Sequence, residues 1–412
     1  NAVPVFVDIN EKTLNINPEL IEAAITEKTK VIMPVHIAGN PADLDRIRKI
    51  GKEHGIAIIE DAAQAHGAMW NGKKVGAIGL GGIFSFQTSK NMTAGEGGTI
   101  VTNDDDFKEA CFSYHNCGRV SGGEWYEHQH LGGNFRLNAL AASMLIPQLE
   151  TIGTDMDLRD KNKKKLDEGL AQIDGIEFLE SYKQTTRSAH HLYIVKYKKE
   201  AFNGIHRNVF FKAMQAEGVY TFAGYSPLYR EKLFVTDPEE YPWLKNQNYN
   251  SLLLPVTERI CDDESVWLKQ NHLLGNDNDI HDLYQSFNSV AGDVHDDLFH
   301  KPNFDWYQGG PATASAPGVY QRHPIRFDEF YGSTYDVYGG KGCLGIGTPI
   351  TMADGTTKNI EDVNVGDWVR AASVPGMPLD FDEEDTWSEW TGTPHGNPPG
   401  SWARIGTSQI YQ

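Results

Sequence analysis

Val31-Ile32-Met33-Pro34-Val35, then Leu44, Ile47 and Ile50, then Ile56-Ala57-Ile58-Ile59: this succession decides the fold. Four or five consecutive apolar residues suit a strand buried on both faces, and apolar residues three apart suit the inner side of a helix. Pro41 and Asp43 stand where a helix start needs them. A strand, helix and strand of this length predict a right-handed βαβ unit, a mostly parallel sheet and an α/β fold. Ligands of such sheets gather at the carboxyl ends of the strands. Asp61 and Gln64 follow the Ile56–Glu60 strand at once.

A second stretch brings the chemistry. Gly82-Ile83-Phe84-Ser85-Phe86 reads as a further short strand, and Gln87-Thr88-Ser89-Lys90-Asn91 follows it among hydroxyls, with Gly95-Glu96-Gly97-Gly98 beyond. Lysine loses its proton readily when partly desolvated, and its neutral amine condenses with aldehydes. A lone lysine in a polar turn is ordinarily a solvated one; the carboxylate at the end of a neighbouring strand favours the other reading. Pyridoxal phosphate needs a lysine for its aldehyde, a carboxylate for its pyridine nitrogen, and hydroxyl or N–H donors for its phosphate. Lys90 and Asp61 are the candidates for the first two needs, with Gln64 at the ring and Ser85 at the phosphate. Taken alone, Asp61 serves equally well as a helix cap.

Composition narrows the function classes. The 412 residues are 40% hydrophobic and 23% charged, as expected of a soluble globular chain, and carry 37 Lys+Arg against 56 Asp+Glu, a formal charge of −19. That charge repels phosphate backbones and argues against nucleic acid as a partner. There is no run of 18 apolar residues and no signal-type start in Asn1-Ala2-Val3-Pro4, so neither membrane insertion nor secretion is expected and a cytoplasmic location is. Cys111, Cys117, Cys261 and Cys343 are too scattered for a disulfide framework or a metal site, and no metal is expected. The chain opens on Asn1 and runs directly into the strand-like segment Val3 to Ile9, which predicts a fragment.

Ile58-Ile59-Glu60-Asp61-Ala62-Ala63-Gln64-Ala65-His66-Gly67-Ala68, Phe84-Ser85-Phe86 with Lys90, and Gly95-Glu96-Gly97-Gly98 together resemble the sugar aminotransferases of the DegT/DnrJ/StrS family. Pro34-Val35-His36-Ile37-Ala38-Gly39, Leu131-Gly132-Gly133-Asn134-Phe135-Arg136-Leu137, and Ala223-Gly224-Tyr225 with Pro227-Leu228-Tyr229 extend the resemblance, which runs from the first residues to about Val290. It implies fold type I, pyridoxal phosphate as cofactor, and transfer of an amino group from an amino acid to a keto sugar or cyclitol. By the same resemblance Lys90 bonds to the cofactor, Asp61 partners the pyridine nitrogen, Gln64 contacts the ring side and Ser85 the phosphate. Asn134 reaches the phosphate of a neighbouring subunit, so that a homodimer shares its active sites. Tyr114-His115-Asn116-Cys117-Gly118-Arg119, with Trp125-Tyr126-Glu127-His128 and the Gly224-Tyr225 loop, is similar to members acting on cyclitols, keto sugars or amino-benzoate precursors.

Members of the family carry, before the equivalent of Val3-Pro4-Val5-Phe6-Val7-Asp8, a glycine and threonine turn around the phosphate and a residue that stacks on the ring; the chain as given shows neither. Such a turn supplies charge-assisted hydrogen bonds of roughly 1.5–3 kcal/mol each. Weak cofactor binding is the expectation, with an inactive scaffold as the alternative.

The remaining pattern predicts domains. Residues 1–150 form a partial large cofactor-binding domain and 151–290 a smaller α+β domain. In the latter Ile176-Glu177-Phe178-Leu179 and Leu192-Tyr193-Ile194-Val195 read as strands and Asn208 to Ala216 as a helix. Leu137, Leu140, Met144, Ile146 and Leu149 mark a helix whose apolar face serves a subunit contact, and a separate charged helix follows around Lys161 to Leu170. His190 and His191 stand before a strand, as edge residues or as substrate ligands. Residues 291–342 read as a linker or foreign segment and 371–412 as an unassigned tail. Cys343-Leu344-Gly345-Ile346-Gly347-Thr348-Pro349, with the residues to 370, resembles the start of an intein, the Hint fold. That resemblance implies autoprocessing with Cys343 as nucleophile towards Gly342; the other reading is an idle cysteine before a hairpin.

Overall fold

In the computed structural model, which describes residues 2–234, 239–245 and 247–295 and four short strands beyond them, the βαβ unit opens a four-stranded sheet. Helix α1 (Pro18–Ala24) begins on Asn17, whose side chain accepts from the Glu19 N–H at 3.1 Å. Strand β1 (Val31–Ile32) is followed by α2 (Leu44–His54), capped by Asp43 Oδ1 on the Arg46 N–H at 3.1 Å and closed by Gly55 at φ +64°. Strand β2 (Ala57–Asp61) runs parallel to β1. The hairpin of β3 (Met69–Trp70) and β4 (Lys73–Lys74) leads to β5 (Gly81–Ser85), parallel to β2, and then to β6 (Gly98–Val101), antiparallel to β5. The order β1-β2-β5-β6 makes a mixed sheet with an antiparallel edge.

Ile47 and Ile50 of α2 pack with Ile21, Ile32, Ala42, Ile56 and Ile58 in one buried cluster. Each isoleucine of the cluster contributes about 1.5–3 kcal/mol by leaving water. The apolar spacing read in the sequence is therefore the spacing of the core.

Helix α3 (Asp105–His115) precedes α4 (Ala139–Leu170), a single helix of 32 residues. The separate charged helix expected around Lys161 is its second half. Pro147 removes the backbone donor to the Ser143 carbonyl, and the helix continues through it; beside it Gln148 Nε2 donates to the Met144 carbonyl at 2.6 Å and to the Thr93 carbonyl at 2.8 Å. Strand β7 (Ile176–Phe178), β8 (Thr185–Arg187, paired with β3) and β9 (Leu192–Tyr197) follow, then α5 (Arg207–Ala216), α6 (Pro255–Arg259), β10 (Ser265–Lys269) and α7 (Asp277–His295). The antiparallel sheet β10-β9-β7 buries Tyr193, Val195 and Tyr197 against Leu166 and Leu170 of α4, Phe210 of α5 and Phe287 of α7. Its other face packs Leu192, Ile194 and Trp267 on Leu14 and Ala38.

Val3 to Ile9 is not a strand. Among the described residues its only strand pairing is an isolated bridge from Ile9 to Ile16. Asp8 holds the segment instead: its carboxylate accepts the N–H groups of Val256 at 3.0 Å and Thr257 at 2.8 Å, an N-terminal cap on α6.

The chain divides into the units Asn1–Gln321 and Arg322–Gln412. In the second, β11 (Pro349–Thr351) pairs antiparallel with β12 (Thr357–Asn359), and β13 (Trp368–Arg370) with β14 (Trp402–Arg404). Cys343, with residues 296–348, 352–356 and 360–367, lies outside the described residues.

Ile47 is fully buried between helix and sheet, so Ile47→Ala should lower the unfolding free energy by about 3 kcal/mol through transfer and cavity terms. Urea titration should show a lower midpoint with an unchanged slope; an unchanged midpoint would place Ile47 outside the core.

Candidate active site

Strand alternation splits the end of β2 into an inward and an outward carboxylate. Glu60 points inward and is fully buried. It accepts N–H bonds from Gly76 at 2.7 Å, Ile78 at 2.6 Å and Gly79 at 2.7 Å, and meets His36 Nε2 at 3.2 Å. The Ala42 N–H donates to His36 Nδ1 at 3.1 Å, so the ring proton sits on Nε2 and faces the carboxylate. Burial alone would raise the Glu60 pKa; the His36 bond and the backbone donors outweigh it and hold the group below its ordinary value.

Asp61, the next residue, points outward and is half-buried. Its Oδ1 accepts the Ala63 N–H at 3.1 Å, while Oδ2 has no hydrogen-bond partner among the described residues. Gln64 Oε1 accepts the Ala38 N–H at 2.7 Å, and Gln64 Nε2 donates to the Tyr225 hydroxyl at 3.1 Å. Tyr225 stands edge-on to Trp267, ring centroids 5.0 Å apart, with half of its surface open. Gly224 fixes this loop, because a Cβ there would stand 2.2 Å from the Trp267 ring.

Lys90 is half-buried in the loop after β5, its N–H bonded to the Gln87 carbonyl at 3.0 Å. Burial lowers its pKa, and the charge of Asp61 opposes that shift without cancelling it. The amine thus stands between the Asp61 side chain and a pocket that favours its neutral form. Ser85 Oγ accepts the Gln87 N–H at 3.2 Å and keeps its own hydroxyl hydrogen for another acceptor. Two buried imidazoles complete the surroundings. His66 faces the Ser85 backbone without completing a hydrogen bond, and neither of its ring nitrogens has a partner among the described residues. His191 bonds to Asn91 Oδ1 at 3.1 Å. Burial first and the Lys90 charge second lower His66 to about 4 and His191 to about 3.

The arrangement thus joins Lys90, Asp61, Gln64 and Ser85 at the carboxyl edge of the sheet. Asn134 stands apart: it is exposed and bridges by its backbone to Asn116, and among the described residues its side chain bonds to none of the other four. His66, Asn91 and Tyr225 were assigned no site role of their own from the sequence. Their signals were the Ala-His-Gly run after Gln64, the place next to Lys90, and the Gly224-Tyr225 pair.

The residues present fit pyridoxal phosphate. An unshared carboxylate oxygen on Asp61, a free hydroxyl hydrogen on Ser85, a half-buried amine and an orphaned buried imidazole are the unspent polar groups that such a molecule requires. The sequence model of the DegT/DnrJ/EryC1/StrS aminotransferase family matches residues 1–278. The chain belongs to this family. A putative L-glutamine:3-amino-2,3-dideoxy-scyllo-inosose aminotransferase of Streptomyces kanamyceticus is 38% identical over 303 residues, covering 71% of this chain and 72% of the relative. A 3-amino-5-hydroxybenzoate synthase of Amycolatopsis mediterranei is 36% identical over 284 residues, 68% of this chain and 71% of the relative. Among solved structures, 3-amino-5-hydroxybenzoic acid synthase superposes with a TM-score of 0.62 at 33% identity, covering 71% of this chain and 75% of that one. The architecture is that of fold type I aminotransferases.

Unfolded histidines take up protons below about pH 6.5, whereas folded His66 and His191 stay neutral to about 4 and about 3. The unfolded state then binds more protons across that window, so stability is complete above pH 6.5 and falls as pH drops towards 4 and 3. Between pH 6.5 and 5 each histidine should cost about 2 kcal/mol. His66→Gln should flatten this slope in urea titrations at the two pH values; a slope equal to that of the parent would remove His66 from the account.

Proposed function

We propose that the chain is a pyridoxal-phosphate-dependent aminotransferase that moves an amino group from an amino acid, L-glutamine in the first instance, to a keto-cyclitol or keto sugar. The observation that carries this reading is the half-buried Lys90, pushed towards its neutral form beside an Asp61 oxygen left unshared. The relatives named for L-glutamine and for inosose derivatives support the donor and acceptor classes. When bound, the cofactor supplies an aldehyde for a lysine and a ring that stores the electron pair released when a substrate carbon loses its proton.

The chain's own residues do the remainder. Lys90 Nζ is the nucleophile, and once free it carries the proton to and from the substrate carbon, which a group with a depressed pKa does near neutral pH. With the cofactor bound, Asp61 Oδ2 would hold the proton on the pyridine nitrogen. Ser85 Oγ donates to the phosphate, and the second hydrogen of Gln64 Nε2 is available to the ring oxygen. The buried imidazole of His66 stays neutral down to about pH 4, so burial rather than a neighbouring positive charge lowers the amine's proton affinity. The test is production of an aminocyclitol from L-glutamine and a keto-inosose with added cofactor. Lys90→Ala should lose at least a thousandfold in rate; transfer that survives in Lys90→Ala would refute the reading.

A homodimer is part of the same proposal. Leu131 is 94% exposed, and Leu140, Ile146, Leu149 and Phe135 are each more than 60% exposed, on α4 and the segment before it. Large apolar side chains grouped in this way mark an association surface, and exposed Asn134 lies within the group, where it can serve a partner's phosphate. The double variant Leu140→Glu/Leu149→Glu should sediment as a monomer and lose transfer activity while keeping its helical circular dichroism. A monomeric parent, or a monomeric variant with full activity, would contradict a shared site.

A further inference from the structure

The loop that carries Lys90 is tied to the start of β9 by one side chain. Asn91 Nδ2 donates to the Ala189 carbonyl at 2.7 Å, which turns Asn91 Oδ1 towards His191 Nδ1 at 3.1 Å. An amide oxygen only accepts, so the His191 ring proton resides on Nδ1. Hydrogen bonds continue from there into the site. The His191 N–H donates to the Ala38 carbonyl at 2.8 Å, the Ala38 N–H to Gln64 Oε1 at 2.7 Å, and Gln64 Nε2 to the Tyr225 hydroxyl at 3.1 Å. Alongside, the Ala189 N–H donates to the Gly39 carbonyl at 2.9 Å.

This belt is held under backbone strain. Ala38 has φ +58° and His190 has φ +46°, the left-handed region that a residue with a Cβ rarely adopts. Gly39 at φ +82° admits no side chain: a Cβ would stand 2.6 Å from the Gln64 carbonyl oxygen and 2.7 Å from the Ala189 Cβ. Such conformations persist where the surroundings over-determine them, and they gather at functional sites.

We propose that His191 is a positioning residue for Lys90: through Asn91 its ring fixes the loop that carries the amine, so that the depth of the amine in the site is set from β9. The proposal rests on the reading of Lys90 as a reactive amine. Asp61, His66 and His191 are the titratable groups that face Lys90, and Arg159 faces His191 from α4. Cutting the tie releases the amine towards water, where its proton affinity rises to that of an ordinary lysine.

The test uses the chain without cofactor. Reductive methylation with formaldehyde and cyanoborohydride is followed at each lysine by peptide mass spectrometry across a pH series. In the parent, the midpoint of Lys90 labelling should lie below that of exposed lysines such as Lys28. In His191→Leu and in Asn91→Leu it should rise by about one unit, a tenfold loss of neutral amine at a given pH. The double variant should rise no further, because one tie is cut once. His191→Asn, whose side-chain amide supplies a donor at the place of Nδ1–H, should keep the parent midpoint. Asn91 lies on the partly open loop, so Asn91→Leu reads the tie even where His191→Leu disturbs the buried strand. A parent Lys90 that titrates like Lys28 would overturn the reactive-amine reading and this proposal together. A low parent midpoint that persists in His191→Leu and Asn91→Leu, or shifts that sum in the double variant, would overturn the proposal alone.

Discussion

A buried carboxylate is tolerated only when every lone pair finds a donor, and Glu60 imposes that condition on the end of β2. Its donors come from two other segments: the loop from Gly76 to Gly79, and His36 beyond β1. Satisfying Glu60 therefore fixes how the loop before β5 and the chain after β1 approach β2. Strand alternation does the rest, since an inward Glu60 forces an outward Asp61. The edge of the sheet that carries the candidate site is thus set by a residue that faces away from it.

From this anchor the site follows by short steps. The chain after His36 turns through the left-handed Ala38, which presents its N–H to Gln64 and its carbonyl to His191. The loop before β5 delivers that strand parallel to β2, and the loop after it delivers Lys90. Lys90 then enters a space bounded by Asp61 and by two histidines that burial keeps neutral. Two opposing influences meet at its amine: desolvation favours the neutral form, and Asp61 restrains it. A lysine balanced in this way suits the two tasks proposed for Lys90, nucleophile and proton carrier.

Much of this was legible in the sequence where the signal is local. The spacing of Leu44, Ile47 and Ile50, with Asp43 before them, marked α2, and the helix begins at Leu44 with Asp43 as its cap. The apolar run to Ile59 marked β2. What was not legible depends on partners distant in the chain. Val3 to Ile9 has the composition of a strand, but Asp8 binds residues 248 and 249 positions away and draws the segment to α6. The long α4 looked like two helices because its exposed side changes from apolar to charged along its length, while its helical phase continues through Pro147. The left-handed Ala38 goes against the residue's own preference and is revealed only by the hydrogen bonds that hold it. Asn91 and His191 stand 100 residues apart, and no spacing rule links them.

The central claim is that Lys90, among the described lysines, is the one made reactive towards an aldehyde by its surroundings. Borohydride reduction after incubation with pyridoxal phosphate at limiting concentration, followed by peptide mass spectrometry, tests it directly. The account predicts a pyridoxyl adduct on the peptide that contains Lys90, formed ahead of adducts at any exposed lysine. Label spread over surface lysines, with Lys90 unmodified, would contradict it.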